Sequence, residues 1–421
     1  MQRSKKFKIN NSALVKDTPV LKILENINWD FSHNTLVSPA DIVPFNCRKY
    51  HWFPGTFIPQ IPFTLIEVLS LPNATIFDPF SGIGTTFFQA LSLLRRPIGV
   101  EICTVAVNIC KNMLLLFDPR LDLSNLKEEI LNGLSDYKDN IDYSNMDLGE
   151  IQVEKLRPWY ERETFNRLCF LFDKEQKAES LYFRGAMKIV ISSILKSVCD
   201  QDRGWGCIAD NMLPKENQIK TRDVFGNFRK SINILFNDLT LHKQTLGMEY
   251  ESFYDSVLQQ ESIFYGDVRK ADFIENNSVD LVITSPPYPN MIDYVTSQRL
   301  SYYYIGASIH DDSGIEIGAR HRRKRKDTLE KYIDDMKSVN KLVSAKLKPG
   351  GYACYIMPSF NTDNTKNCDR KKVTDNIMSS IEELGLKLVC EFDRIVSSKR
   401  RDHNSKWTSL EQEKIYIYRK A

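Results

Sequence analysis

Short strand and helix patterns alternate along the chain between residues 74 and 116. An apolar strand pattern at 74–78 leads through a glycine turn into a helical pattern at 85–94, and a second strand pattern at 97–101 precedes an apolar helix at 105–116. Strands joined by single helices in this way lie parallel in one sheet, because each helix crosses back over the face of the sheet. The chain is therefore predicted to have an α/β fold built on a doubly wound, mostly parallel sheet.

The alternation stops between residues 118 and 261, where the pattern is helical and charged. A structureless loop of that length is implausible inside a compact domain, so this stretch predicts a mainly helical insertion and a candidate target-recognition region. Strand patterns resume at 262–265, 279–284, 351–357, 387–392 and 414–419, with an antiparallel strand expected near the C-terminus. The predicted division is an N-terminal arm at 1–50, one half of the core at 51–117, the insertion at 118–261 and the second half of the core at 262–421.

The charges of the chain are nearly balanced, with 57 Lys and Arg against 54 Asp and Glu and a net charge of +3. Any basic surface for nucleic acid must therefore be local. The nine cysteines form no CxxC pair and no Cys/His metal spacing, which predicts no metal site and favours free thiols in a reducing cytoplasm. No apolar run reaches membrane-spanning length, and the basic N-terminus lacks the apolar segment of a secretory signal.

The segment DPFSGIGTT, at 78–86, is the first candidate binding element. Gly82 and Gly84 permit a tight turn and let a ligand approach the backbone closely. The helix that follows offers free N–H groups and the positive end of its dipole to a carboxylate. Glu101 ends the next strand, where an acid commonly holds a ribose diol. A glycine pair alone also fits an ordinary strand-to-helix turn, and Phe87 at the third position of GxGxxG disfavours a dinucleotide site.

The strand pattern at 279–284 ends in a second candidate element, which consists of Ser285, Pro286, Pro287 and Tyr288. Proline cannot continue a central strand, so the chain leaves the sheet here and stiffens. A rigid exit of this kind aims polar backbone groups and a flat ring at a planar substrate.

Together, DPFSGIGTT and TSPPY resemble the motifs of the amino-methyltransferases that modify DNA bases with S-adenosylmethionine. The resemblance implies a Rossmann-like class I methyltransferase fold. It implies that S-adenosyl-L-methionine is bound by Asp78, Phe80, Ser81, Gly82, Gly84, Thr85, Thr86, Glu101 and, at the adenine ring, Asp267. The stretch 52–62, which contains Trp52, Phe53 and Phe57, resembles the family's cofactor-flanking motif, although Ile61 stands where lysine is commoner.

Serine at the first position of SPPY is typical of the family members that methylate N4 of cytosine, while aspartate is typical of N6-adenine enzymes. The exocyclic amine is a poor nucleophile because its lone pair is delocalised into the ring. Ser285 and the carbonyl of Pro286 are expected to accept its hydrogen bonds, and Tyr288 to stack against a base flipped out of the duplex. No Pro-Cys motif of the C5-cytosine enzymes is present, which disfavours methylation of a ring carbon.

A run of cations follows the acidic segment 311–314, which is expected to be a flexible lead-in. Six of its seven residues are cationic, and they are Arg320, Arg322, Arg323, Lys324, Arg325 and Lys326. In a nearly neutral chain such a run is a natural contact for the phosphates of double-stranded DNA, although a solvated loop has the same composition. A second cationic cluster at 399–401 is a candidate for the same cleft.

These patterns predict a DNA (cytosine-N4)-methyltransferase of a restriction-modification or phage-defence system, with a cognate restriction endonuclease as a partner. Three alternatives remain open. The first is an N6-adenine DNA methyltransferase, which the nature of the methylated nucleoside distinguishes. The second is an RNA base methyltransferase, which methyl incorporation into duplex DNA or structured RNA distinguishes. The third is a catalytically silent DNA-binding subunit, which binds DNA without methyl transfer.

Overall fold

The computed structural model describes residues 18–31, 44–200, 213–324, 327–359, 365–395 and 412–421. Arg325, Lys326 and the cationic cluster at 399–401 lie outside these residues. The described residues form one sheet of seven strands. The strands are β1 Thr75–Asp78, β2 Arg96–Glu101, β3 Ile263–Tyr265, β4 Val279–Thr284, β5 Leu347–Ser359, β6 Leu386–Ile395 and β7 Gln412–Lys420.

The strand order is β3-β2-β1-β4-β5-β7-β6. Neighbouring strands from β3 to β5 are parallel, whereas β7 runs antiparallel to both β5 and β6. This confirms the predicted Rossmann-like class I methyltransferase fold, with a doubly wound, mostly parallel sheet and an antiparallel strand near the C-terminus. The direction of winding reverses between β1 and β4, and ligands of open α/β sheets bind outside the carboxyl ends of the strands at such a point.

Helices cover both faces of the sheet, and the alternation of side chains along each strand explains how. In β1, Ile76 packs into a cluster with residues of the first two helices, while Phe77 packs on the opposite face with the two helices that flank β5. The helices are α1 Thr18–Glu25, α2 Gln60–Leu69, α3 Thr85–Ser92, α4 Thr104–Leu116, α5 Leu123–Asn132, α6 Val153–Leu156, α7 Arg162–Lys177, α8 Leu181–Leu195, α9 Val224–Lys243, α10 Tyr250–Leu258, α11 Arg299–Ile305, α12 Ile309–Ile315, α13 Thr328–Lys346 and α14 Thr365–Glu383. No helix in the described ranges is long and apolar enough to cross a membrane.

The described residues between β2 and β3 form helices α4 to α10, with no strand among them. Side-chain caps begin several of these helices: Asp122 accepts the N–H of Asn125, and Asp223 accepts that of Gly226. The buried side chains of helices α5 to α10 form one hydrophobic cluster with those of α3 and α4. The Tyr254 hydroxyl of α10 donates to the Leu114 carbonyl of α4 at 2.9 Å. The boundaries at 118 and 261 stay a prediction, because this cluster crosses the first of them without interruption.

Candidate active site

A cleft of about 770 Å³, part of it open to solvent, lies at the carboxyl ends of β1, β2 and β4. Its size is within the range of pockets that bind small molecules and cofactors. Most of the residues predicted to bind the cofactor or to act in catalysis lie in its wall, namely Phe80, Ser81, Gly82, Thr85, Glu101, Asp267, Ser285 and Pro287. Asp78, Gly84, Thr86, Pro286 and Tyr288 do not line it. The fold thus brings the glycine turn and the SPPY loop to one cleft.

The glycine turn has the left-handed backbone that its sequence predicts. Gly82 has φ +52° and Gly84 has φ +89°, and the N–H of Gly84 donates to the Ser81 carbonyl at 2.9 Å. A Cβ on Gly84 would lie 2.7 Å from the Cys110 sulfur of α4. Only glycine therefore fits at Gly84, and α3 begins at Thr85 with its first N–H groups beside the cleft.

Glu101 joins the ends of β1 and β2 through its carboxylate. Oε2 accepts the N–H of Gly82 at 2.7 Å, and Oε1 accepts the N–H of Cys103 at 2.8 Å. Burial raises the pKa of Glu101 to about 7, and the neighbouring Asp78 adds to the increase. Burial also raises the pKa of Asp78, to about 6, although this side chain accepts the N–H of Phe80. Two protonatable carboxyls therefore lie at this end of the cleft.

Asp267 lines the cleft at the end of β3 and is held by Arg269. The Arg269 Nε lies 2.8 Å from Oδ1, and its Nη2 lies 2.7 Å from Oδ2. Burial alone would raise the pKa of Asp267, but the hydrogen bonds and charge of Arg269 outweigh burial and lower it. The side chain is therefore an ionised carboxylate with a fixed orientation.

The SPPY loop is fixed by contacts with the C-terminal strands. The Tyr288 side chain is 5% exposed, and its hydroxyl lies 3.4 Å from the Ser285 Oγ and 3.3 Å from Glu413 Oε1 in β7. Glu413 in turn forms a buried ion pair with Arg394 of β6. Burial, together with the negative charge of Glu413, raises the pKa of Tyr288 well above its ordinary value. The ring would have to leave this position before a base could stack on it.

The aromatic stretch before α2 forms another part of the cleft wall. Phe53 and Phe57 line the cleft, whereas Trp52 does not and instead carries the Lys196 ammonium 4.3 Å from the centre of its ring. Gly55 has φ +71°, and a Cβ there would lie 2.8 Å from the Tyr294 hydroxyl. Two of the three aromatic residues that were predicted to flank the cofactor therefore line the cleft.

The segment 311–314, expected to be flexible, lies in a short helix, so that expectation was wrong. Asp312 of α12 is buried, and its carboxylate accepts the N–H and the hydroxyl of Thr104, both at 2.8 Å, at the start of α4. It also accepts the hydroxyls of Tyr265, at 2.6 Å, and Tyr302. These bonds tie α12 to the sheet, and the last residue of α12 and the two that follow it form part of the cleft wall, namely Ile315, Glu316 and Ile317.

Glu316 is the polar residue of this wall that the sequence did not reveal. Its side chain is 2% exposed, and Oε1 accepts the N–H of Tyr294 at 2.7 Å. Oε2 is buried and has no hydrogen-bond partner. Burial raises the pKa of Glu316 to about 8. No sequence motif marks this residue, because its position depends on how Asp312 anchors α12.

The cationic run divides into residues with different surroundings. The Arg322 guanidinium donates to the carbonyls of Ser313, Gly314 and Glu316 and so closes the end of α12. Arg320 is half-buried. Arg323 and Lys324 are exposed. In the described part of the run, these two are therefore the cations most available to a phosphate.

The chain is similar to known DNA methylases. Residues 4–112, which include the glycine turn and Glu101, match the model of the N6_N4_Mtase family, described as DNA methylase. Type II methyltransferase M.BsoBI of Geobacillus stearothermophilus is 23% identical over 265 residues, 59% of this chain and 51% of that protein. Type II methyltransferase M.MjaII of Methanocaldococcus jannaschii is 21% identical over 463 residues, 91% of this chain and 83% of that protein. The chain thus spans about half the length of the first relative.

A solved structure of a putative DNA modification methylase from Thermus thermophilus, complexed with S-adenosyl-L-methionine, is 20% identical and has a TM-score of 0.22. The match covers 37% of this chain and 53% of that one. A TM-score that low does not by itself indicate a common fold, so the fold rests on the strand order. The family model and the two Type II methyltransferases support the resemblance of the chain to the S-adenosylmethionine-dependent DNA amino-methyltransferases.

Proposed function

We propose that the protein transfers a methyl group from S-adenosylmethionine to the exocyclic amine of a flipped DNA base, N4 of cytosine. The observation that carries the proposal is the single cleft shared by the glycine turn, Glu101 and the SPPY loop. A cofactor and a planar substrate bound in one cleft are in contact with each other, as direct methyl transfer requires.

The residues of the cleft fit S-adenosylmethionine. The buried Ser81 hydroxyl lines the cleft and has no hydrogen-bond partner, so it is available to a polar ligand. The N-terminus of α3 suits the carboxylate of the methionine moiety, Glu101 the ribose hydroxyls and Asp267 the adenine end. When bound, the cofactor supplies a methyl group on a positively charged sulfur, which is a good leaving group.

The chain's own contribution to the reaction is to orient the amine and exclude water. Ser285 and the carbonyl of Pro286 accept the amine N–H bonds, which turns the nitrogen lone pair out of the ring plane and toward the methyl group. Pro286 and Pro287 keep these acceptors rigid. Tyr288 stacks on the base after its ring has turned out of its buried position.

The choice of cytosine N4 is supported by the serine of SPPY, since aspartate is typical of the N6-adenine enzymes. N6 of adenine is the alternative that the family also includes, and an RNA base is a second alternative. Arg323 and Lys324, with Arg320, Arg325 and Lys326, are proposed to bind DNA phosphates. We also propose a cognate restriction endonuclease as a partner and the cytoplasm as the location of the protein. The cysteines in the described residues are free thiols, as is typical of a reducing compartment.

The test is to incubate the protein with labelled S-adenosylmethionine and genomic DNA that has been amplified in vitro and so carries no methyl groups. Digestion to nucleosides should yield N4-methyl-deoxycytidine, and Ser285→Ala should abolish it. Structured RNA serves as the competing substrate. N6-methyl-deoxyadenosine as the product would replace the cytosine assignment, and label found in RNA alone would contradict the proposed substrate.

A further inference from the structure

Three carboxyl groups line the cleft, and they differ in how their oxygens are used. Both oxygens of Glu101 accept backbone N–H groups, and both oxygens of Asp267 are bound by Arg269. Glu316 uses Oε1 for the N–H of Tyr294, and its buried Oε2 has no hydrogen-bond partner, although the N–H of Val295 is near enough to the carboxylate to lower its pKa. A buried acceptor without a partner is costly, and a catalytic role is one of the reasons for which a native protein retains it. Among the three, Glu316 is the one with a buried oxygen that has no hydrogen-bond partner.

Glu316 lies in the part of the cleft wall that adjoins the SPPY loop. The segment that contains it runs beside the SPPY loop, because the N–H of Asn290 donates to the Gly318 carbonyl at 2.9 Å. A Cβ on Gly318 would lie 3.6 Å from the Pro289 Cα, so the two backbones are in contact. Ser285 and Glu316, which both line the cleft, therefore belong to adjoining segments of its wall.

Burial and the neighbouring charges give the Glu316 carboxyl a pKa near neutral pH. Burial raises its pKa to about 8, the N–H groups of Tyr294 and Val295 oppose the increase, and the carboxylate of Asp293 adds to it. The guanidinium of Arg322 lowers it, and Asp293 is itself paired with His321 at 2.9 Å. A carboxyl with such a pKa exchanges a proton readily at working pH, as a general base must.

We propose that Glu316 is a catalytic residue whose Oε2 accepts the proton of the target amine; this inference rests on the proposed function. The base nitrogen gains the methyl group, the carbon–sulfur electron pair remains on the sulfur, and the nitrogen then carries an excess proton. Its N–H bond breaks and the proton passes to Oε2, which leaves a neutral methylamine. Ser285 accepts a hydrogen bond but is too weak a base to keep this proton, so a second group is needed.

The test compares Glu316→Gln and Glu316→Asp with the wild-type protein. Glutamine keeps the acceptor for the Tyr294 N–H but cannot take up a proton. The exposed Glu330 of α13 provides the matched control, Glu330→Gln. Single-turnover methyl transfer into in-vitro-amplified genomic DNA is followed from pH 6 to pH 9.5, and calorimetry measures the affinity for S-adenosylhomocysteine.

The wild-type rate should rise with pH, with its midpoint near pH 8, and level off about one pH unit higher. Glu316→Gln should lose about 10²- to 10⁴-fold and the pH dependence with it. Glu316→Asp should keep part of the rate and the rising limb. The affinity for S-adenosylhomocysteine should be equal in all variants. The inference is overturned if Glu316→Gln keeps the wild-type rate and profile. It is also overturned if the variant loses affinity for S-adenosylhomocysteine but keeps the rising limb, because Glu316 would then be a cofactor contact. A wild-type protein that methylates no nucleic acid would contradict the proposed function itself.

Discussion

Cofactor affinity should depend on pH through Glu101. Its pKa is about 7 without ligand, because burial disfavours the charged form. Ribose hydroxyls donate best to the ionised carboxylate, so the protein must release the Glu101 proton before it binds. With a pKa of 7, affinity should fall about tenfold between pH 8 and pH 6, which corresponds to about 1.4 kcal/mol. The sign follows from the raised pKa: protonation increases as the pH falls, and binding weakens.

The matched variant is Glu101→Gln, which has no proton to release. It should bind about 10- to 100-fold more weakly at pH 8, since a hydrogen bond to a charged group contributes about 1.5–3 kcal/mol. At pH 6 the difference from wild type should be about tenfold smaller, because the wild-type carboxyl is then mostly protonated. Glutamine also leaves one of the N–H groups of Gly82 and Cys103 unpaired, so the variant should melt at a lower temperature.

The assay is isothermal titration calorimetry with S-adenosylhomocysteine between pH 6 and pH 8.5. The ligand's own amino group contributes equally to both proteins, so its titration cancels in the ratio of their affinities. Glu316 is present in both proteins, so its contribution cancels likewise. A ratio that stays constant over this pH range would refute the link between Glu101 ionisation and cofactor binding.

Three other changes test neighbouring features. Replacing both Arg323 and Lys324 with glutamine should weaken binding to all DNA sequences and make the slope of log K against log salt shallower by about two units. Arg322→Gln should instead mainly lower the melting temperature. Salt titrations by filter binding measure the slopes, and equal slopes for all variants would contradict the assignment. Tyr288→Ala should lose about 1–3 kcal/mol of base stacking, which slows methyl transfer in a single turnover. Tyr288→Phe keeps the ring and should keep most of the rate. Equal loss in both variants would show that the hydroxyl, and not the ring, is the important group. Asp312→Asn should lower the free energy of unfolding by about 3 kcal/mol, because it weakens the charge-assisted hydrogen bonds of the carboxylate. Denaturant unfolding measures this loss. Unchanged stability would show that other contacts hold α12.

The sheet was predictable because its strands are marked locally. The pattern at 279–284 is apolar and ends at a Ser-Pro-Pro sequence, and β4 has the same bounds, Val279–Thr284. In β5 the prediction began at 351, but the strand starts at Leu347 and passes through Pro349 and Gly350. A register shift against β4 between Val279 and Leu281 accommodates these residues. Such an irregularity depends on the neighbouring strand and has no signal in the segment itself.

The site was predictable only where its residues belong to continuous motifs. Gly82, Glu101 and Ser285 lie in the cleft as the motifs indicate. The burial of Tyr288 was not predictable, since it arises from Glu413, 125 residues further along the chain. Glu316 was missed for a related reason, because an isolated glutamate after an acidic segment reads as a solvated residue. Long-range packing decides both cases.

If the predicted insertion selects the DNA target, the cluster that unites α3 and α4 with helices α5 to α10 bears on how that selection can change in evolution. A self-contained module can be exchanged by recombination, because its core moves with it. Here an exchange at residues 118 and 261 would leave half of a shared core behind, as the bond from Tyr254 to the Leu114 carbonyl illustrates. The remaining surface would meet a foreign one with unmatched shape, and such misfits in a core typically cost several kcal/mol. New DNA specificities in this lineage should therefore arise through successive point substitutions on the outer surface of these helices, while the packed side remains constant.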